Sequence, residues 1–512
     1  MAKAALIIAT GNVVSRILGL ARETVIANLF GATDQVSAFR VAQIIPTMLY
    51  DLLVGGMVSS ALVPVFSEQA ERDRAGLWHL ASLMLSLAVV VLGAVVVLIE
   101  LAAPQAAYLM AGGFDQELLA VTTRLMRLTT PAVLFLSLAG IATGLLYALK
   151  RFALPAFTAA IFNATIVAVA LLGTLGFGWG IDSLAVGLLL GALLQVALQL
   201  PGLGDARLRF ILDLQHPALR RIAKLYLPVI LGLVISQIAI ALDRNFASRT
   251  GEQSIAWMQY ATTIIQFPLG LISAAISLAI LPTLSRLASA KTDLTEFMGT
   301  LATGLRLVLI LIIPATVALY ILAEPIVALL FQHGDFTPFD TQQTALALRF
   351  YLFGLTFAAI DQPLIFAFYA RQNTLTPALV GLLGVGFYLV AALLPSLTRP
   401  MQMIDLVLAN SVQLTGHALV MLWLVNRLAS LRGYGLGPTM LKAGVAAAMM
   451  GGIVWGVLPW LKLSLSTDSL TAELLLVGSL SLLGVAVYLV TLFLLRTPEL
   501  ALLSRLLKRF MP

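Results

Sequence analysis

Apolar segments of about 20 residues or more follow one another along nearly all of this 512-residue chain, and that feature decides its solvent. An α-helix needs about 20 mainly apolar residues to cross the hydrocarbon core of a bilayer. Hydrophobic residues make up 60% of the sequence and charged residues 11%, with a mean hydropathy of +1.00. A soluble protein carries roughly 25% charged residues, and soluble cores stop growing at about 250–300 residues. No soluble core could hide this much apolar surface, so a soluble enzyme and a nucleic-acid-binding protein are both excluded. The expectation is an all-α integral membrane protein, since the long runs lack the period-2 alternation of barrel strands.

Fourteen segments qualify as spans: 4–28, 38–67, 78–102, 119–149, 153–174, 182–201, 219–248, 254–285, 299–331, 341–370, 374–396, 403–426, 438–461 and 471–495. The formal charge of +7 matters less than where the basic residues stand. With the N-terminus cytoplasmic, the inner segments hold Lys3, Arg72, Arg74, Lys150, Arg151, Arg207, Arg209, Arg220, Arg221 and Lys224. They also hold Arg286, Lys291, Arg371, Arg427, Arg432, Lys442, Arg496, Arg505, Lys508 and Arg509, against Arg249, Arg399 and Lys462 outside. This positive-inside bias predicts fourteen spans with both termini cytoplasmic, because one missed helix would destroy it. The opening run is interrupted by Arg16 and Arg22 and followed by further spans, so a retained first helix is expected rather than a cleaved leader.

Two short matches recur at nearly one spacing. ALVPVFSE (61–68) resembles AILPTLSR (279–286), and YALKRFALPA (147–156) resembles YARQNTLTPA (369–378). An offset of six spans keeps both copies in one orientation, as in transporters built from parallel repeats. The predicted organisation is an N-lobe of six helices (1–210), a C-lobe of six (211–432) and two appended helices with a basic tail (433–512). Chance similarity between Pro-ended helices is the alternative.

Ionisable groups inside spans are costly and usually face a protein interior or a wet cavity. Arg306, Arg244 and Glu324 lie near span ends, where long side chains snorkel, and Arg124 and Arg127 can reach the outer headgroups. Helix 1 stands apart. Arg16 and Glu23 are seven residues apart on one face, with Gly19 between them. Arg22 lies about 9 Å further along the axis than Arg16. Two guanidinium forks on an inward helix suit a phosphate or pyrophosphate; a structural Arg16–Glu23 pair is the alternative. Arg40 and Asp51, eleven residues apart, are expected on one helix face, Arg40 near the interface and Asp51 deep enough to need a partner or water.

Enzymatic constellations are missing: there is no GxxxxGK[ST] loop, no HExxH and no GxSxG. Cysteine is absent, which removes disulfides, thiol catalysis and Cys-based metal sites. His79, His216, His333 and His417 are scattered singly and are expected to be interfacial or structural. Gly187 and Gly191 form a GxxxG, a signal of close helix packing. No cofactor is expected, and the chain is read as a transporter rather than an enzyme.

Several motifs carry a resemblance across nearly the whole chain. SRILGLARETVIANLFGA (15–32), ALVPVFSE (61–68), FPLGLISAAISLAILPTLSR (267–286), FQHGDFTPFD (331–340) and FAFYARQNTLTP (366–377) resemble signatures of the MurJ/MviN family of lipid II flippases, within the multidrug/oligosaccharidyl-lipid/polysaccharide exporter superfamily. The resemblance implies two six-helix lobes plus two helices bounding a cationic cavity and a lipid-tail groove. It also implies that undecaprenyl-pyrophosphate-linked disaccharide pentapeptide is turned to the outer leaflet of the bacterial cytoplasmic membrane for peptidoglycan synthesis. Implied partners are that precursor, membrane lipids and cell-wall synthesis proteins, with coupling to membrane potential, Na+ or H+.

Carried over residue by residue, the resemblance assigns the pyrophosphate to Arg16 and Arg22; Glu23, Arg40 and Asp51 complete the candidate substrate-binding set. The family's Asp-Ala-Phe-Phe reads Ser37-Ala38-Phe39-Arg40, and its Arg-Arg-x-x-Ala-Glu-Gly reads Tyr50-Asp51-Leu52-Leu53-Val54-Gly55-Gly56. A further cavity arginine, usual before the eighth-helix Phe-Pro, is Thr263 here. Asp243 matches an acidic position that serves a sodium site in some members, although the helix-11 partners are not evident near Gly386–Tyr388. Two rival readings share the scaffold: an exporter of another polyprenyl-linked glycan or an amphipathic drug, and a non-transporting membrane scaffold.

Overall fold

The computed structural model describes residues 2–289, 294–465 and 469–500, with side chains from residue 7 onward except at 59, 228, 231 and 232. Lys291, Arg505, Lys508, Arg509 and the side chain of Lys3, all assigned to the inner side, lie outside the described residues.

Every regular element among the described residues is helical. The long helices are α1 (Ala2–Phe30), α2 (Asp34–Arg72), α3 (Arg74–Leu101), α4 (Gln116–Ala148), α5 (Thr158–Gly176), α6 (Asp182–Leu203), α7 (Pro217–Ser248), α8 (Ser254–Ser289), α9 (Leu294–Ile321), α10 (Pro338–Ala370), α11 (Leu375–Leu397), α12 (Met403–Leu428), α13 (Leu436–Ser464) and α14 (Leu470–Leu494). Twelve of them, all but α1 and α7, are long and apolar enough to cross a membrane. The other two fall on the remaining expected segments and carry charged residues within their apolar runs. The chain is therefore an all-α, multi-pass membrane protein.

Two compact units divide the chain: Met1–Ala256 with His333–Phe336, and Trp257–Gln332 with Thr337–Pro512. In the first, Leu62, Phe66, Leu77, Leu83 and Leu145 form a core that includes Tyr226 of α7. The Tyr226 hydroxyl donates to the Leu52 carbonyl, tying α7 to α2. The GxxxG works as expected: a Cβ at Gly187 would meet the Ile166 Cα at 3.1 Å, and one at Gly191 the Phe162 ring at 2.9 Å. Small residues let α5 and α6 approach closely. In the second unit, Leu301, Leu364 and Met421 anchor one core, and Ala446, Leu480 and Tyr488 another.

The element order recurs within the chain. A nine-residue helix, Ala103–Ala111, separates α3 from α4, and another, Ala323–Phe331, separates α9 from α10. Lys150 (φ 60°) and Gln372 (φ 58°) take the left-handed conformation at equivalent positions of the YALKRFALPA and YARQNTLTPA pair. In each, the next residue's N–H reaches back to a carbonyl five residues earlier, Arg151 to Leu146 and Asn373 to Phe368, so the two helices stop through the same turn. Widened π turns also recur: α2 has them at Asp51–Gly55 and Val58–Leu62, and α8 at Leu269–Ala274. Leu269 follows Asp51 by 218 residues, the offset between ALVPVFSE and AILPTLSR.

The FQHGDFTPFD segment is built for its backbone. Gly334 (φ +60°) lies so close to the Asn28 carbonyl that a Cβ would overlap it, and Gly31 (φ +61°) packs equally tightly against Asp335. Thr337 and Asp340 then form a reciprocal capping box that starts α10.

Outside the spans, Arg151 Nη1 donates to Asp205 Oδ1 at 2.8 Å and to the Gly202 carbonyl at 2.5 Å, while Arg74 lies 3.4 Å from the other oxygen. The Arg151 hydrogen bond, with the charges of Arg151 and Arg74, holds the Asp205 carboxyl below the usual carboxylate range. A lowered folded-state value stabilises the fold above the ordinary carboxylate range, and that contribution disappears as pH falls through the folded value. Melting of the purified protein between pH 7 and 3 should therefore show a small acid-dependent loss that Asp205→Asn removes; an identical pH profile in the variant would refute it.

Candidate functional site

Arg22 and Glu23 of helix 1 belong to a cluster inside the first unit. The contact between α1 and α5 comes first: a Cβ at Gly19 would stand 3.5 Å from Asn163 Nδ2, and one at Gly11 would overlap the Ala156 carbonyl. Asn163 then uses both ends of its amide. Its Nδ2 donates to the Ser15 carbonyl at 3.2 Å, and its Oδ1 accepts from Arg22 Nη1 at 3.0 Å. Arginine only donates, which fixes this orientation of the amide.

Glu23 is 1% exposed and stands between two arginines. Its Oε1 accepts from Arg22 Nε at 3.2 Å, from Arg22 Nη2 at 2.6 Å and from Arg40 Nη1 at 3.3 Å, and its Oε2 accepts from Arg40 Nη2. Arg40, expected near the interface, is instead 1% exposed. The first segment of α2 buries it: Thr33 caps that segment, and Thr129 of α4 donates to the Ala42 carbonyl at its end. Arg22 keeps 22% of its side chain exposed, and Arg16 is exposed on α1. Two guanidinium groups and one carboxylate leave the triad with one net positive charge, its open side at Arg22.

Other expected site residues lie apart from this triad. Asp51 is exposed on the first π turn of α2. Arg40 is buried and Asp51 exposed, and α2 is interrupted at Gln43 between them. Asp243 is half-buried on α7. The end of that helix is fixed to the short helix Ala103–Ala111 and the turn after it by Asn245, which donates to the Leu109 carbonyl at 2.9 Å, and by Ser248, which accepts from the Gly113 N–H at 3.0 Å. Ser37 is buried and accepts from the Ala256 N–H at 3.2 Å; Thr263 donates to the Gln259 carbonyl of its own helix. A Cβ at Gly55 would stand 3.2 Å from Asp51 Oδ1 and 3.2 Å from the Tyr50 ring, so the altered motif on α2 is tightly folded on itself.

Asn163 is a site residue that the sequence reasoning missed. Its one available signal was a lone amide in the apolar run TAAIFNATIVAVAL. The second unit contains an apolar cavity of about 310 Å³ between α9, α13 and α14, lined by Pro314, Ala318, Gly451, Val454, Gly484 and Leu489 among others.

The protein-family model described as "Lipid II flippase MurJ" matches residues 26–476. The chain belongs to the MurJ family of lipid II flippases. "Lipid II flippase MurJ" of Burkholderia cenocepacia is 31% identical over 392 residues, covering 74% of this chain and 75% of that protein. "Probable lipid II flippase MurJ" of Haemophilus influenzae is 30% identical over 477 residues, covering 88% and 91%. A solved structure described as "Lipid II flippase MurJ, inward closed conformation" superposes with a TM-score of 0.80 at 26% identity, covering 95% of this chain and 98% of that one. The MurJ match begins at residue 26, so Arg16, Arg22 and Glu23 precede it. Their assignment rests on the triad geometry and on the motif around them.

Proposed function

We propose that this chain is a transporter that carries lipid II from the inner to the outer leaflet of the bacterial cytoplasmic membrane by alternating access. The observation that carries this reading is the Arg22–Glu23–Arg40 triad, net positive and open at Arg22, within a MurJ-family fold. Arg16 and Arg22 meet the pyrophosphate, since charge-assisted fork contacts are the strong ones for phosphate oxygens. Glu23, Arg40 and Asn163 hold the Arg22 guanidinium in place.

The same reading assigns fourteen spans with both termini cytoplasmic, lobes at 1–210 and 211–432, and two further helices in 433–512. The recurring π turns, nine-residue helices and left-handed stops support paired lobes. The prenyl tail lies in lipid and enters the apolar cavity between α9, α13 and α14. Gly484→Leu, which fills that cavity, should lower growth support several-fold at unchanged membrane abundance. Wild-type growth with the cavity filled would remove the tail from this place.

The test is complementation: deplete the native lipid II flippase of a bacterium, express this chain and check its membrane abundance by immunoblot. Growth that requires Arg16 and Arg22 supports lipid II transport. Death at full, correctly inserted abundance refutes it. A different polyprenyl-pyrophosphate headgroup is the second reading, favoured by Tyr50, Gly55 and Thr263 at positions where the family resemblance leads one to expect charge.

A further inference from the structure

Beyond the triad, the second unit buries a second ionisable pair. His417 Nδ1 of α12 lies 2.8 Å from Asp361 Oδ2 of α10, with the two side chains 15% and 13% exposed. The approach is at ion-pair distance without hydrogen-bond alignment, since buried His417 Nδ1 makes no hydrogen bond among the described residues. Asp361 Oδ1 is buried and has no hydrogen-bond partner among the described residues. A buried oxygen of this kind is expensive to leave unsatisfied. The pair stands about 14 Å along the axis from the end of α10 at Ala370 and about 17 Å from the end of α12 at Leu428.

We propose that His417 and Asp361 form a proton-binding site that couples transport to the proton gradient. This rests on the flippase reading above. With a neutral imidazole and an ionised carboxylate the pair carries one negative charge; one added proton gives either an imidazolium–carboxylate pair or a neutral imidazole beside a carboxylic acid. Both products are net neutral, no other bond breaks, and inside a bilayer the neutral form is the one that burial favours. An imidazole nitrogen takes protons and transition metals, not the hard cations that oxygen cages hold, so the ligand is H+ rather than Na+.

Tyr369 stands two turns further along α10. From α11, Gly384 lies against the imidazole, where a Cβ would stand 3.7 Å from Cδ2, and buried Tyr388 follows one turn on. The Leu269–Ala274 segment of α8, which packs on α10, is uncharged, and Arg286 stands near the end of that helix. Of the charged side chains on α9, α10 and α12, Arg306 is engaged with Glu499, Arg349 with the Tyr320 carbonyl, Asp340 with Thr337, Asp405 with Arg399, and Arg427 over Trp423, while Glu296 stands in the first turn of α9.

The test uses the full chain with isotope-labelled histidines in lipid nanodiscs and, in parallel, proteoliposomes that report lipid II flipping. With four histidines in the chain, His417→Gln assigns the His417 resonance. The His417 resonance should report proton uptake as the pH is lowered, and Asp361→Asn should weaken that uptake about tenfold. In proteoliposomes, the stimulation of flipping by a pH gradient should fall at least about tenfold in Asp361→Asn and His417→Gln relative to the stimulation by membrane potential. A histidine that keeps one protonation state throughout overturns the proposal, as does gradient stimulation retained in both variants. Stimulation by a sodium gradient at fixed pH, lost in the same variants, would make this a sodium site and equally overturn it. If the wild type flips no lipid II, the flippase reading fails, while the histidine titration still decides the proton site.

Discussion

Arg22→Ala should fail to support growth when this chain replaces the resident lipid II flippase, at membrane abundance equal to wild type. Folding and function separate cleanly at this position. Removing Arg22 leaves Glu23 still paired with buried Arg40, a net-neutral pair inside the protein. What disappears is the partly exposed guanidinium of the triad. Hydrogen bonds between charged groups contribute about 1.5–3 kcal/mol each. Losing two to one phosphate therefore weakens binding by a hundredfold or more, at about 1.4 kcal/mol per factor of ten. Arg22→Lys should recover part of the activity, because it keeps the charge and loses the planar fork. Arg16→Ala should behave like Arg22→Ala. Wild-type growth from both alanine variants at equal abundance would remove the pyrophosphate from this helix.

Glu23→Leu should instead remove the protein from the membrane. It leaves Arg40, 1% exposed, without its carboxylate and places a second guanidinium beside it. Breaking a buried ion pair by deleting one partner costs about 3–5 kcal/mol, a large fraction of the roughly 5–15 kcal/mol that holds a typical domain folded. Immunoblots should show severalfold lower abundance, and the detergent-purified remainder should melt several degrees earlier. Adding Arg40→Met to Glu23→Leu should restore abundance, since apolar replacement of a whole buried pair is often neutral. Full stability in the single variant would mean that Arg40 draws on another counter-ion.

The gross architecture was legible because crossing a bilayer demands length and apolarity, and each of the fourteen apolar segments is matched by a long helix. Faces were less legible. Seven-residue spacing put Arg16 and Glu23 on one side of α1, yet Glu23 is held by its neighbour Arg22 and by Arg40 of another helix. Arg40 was expected near the interface and is buried against Glu23, while Asp51, expected to need a partner or water, is exposed; the turn at Gln43 interrupts the helix between them. Asn163 and the His417–Asp361 pair were invisible for a different reason. Each joins helices far apart in sequence, and a single polar residue in an apolar run does not announce its partner.

The wide turns of α2 have a mechanical meaning. A π turn holds one more residue than an α turn, and residues on an α-helix follow one another at about 100° around the axis. When such a turn relaxes and re-forms one turn further along, the stretch in between swings by that angle while both helix ends stay where they are. Asp51 opens the first wide turn and Gly55 closes it, with the second beginning at Val58. The residues that lie between them, Gly56 and Met57, can be presented to different surroundings in turn, as teeth on a wheel, without the helix being unwound or moved as a rigid rod.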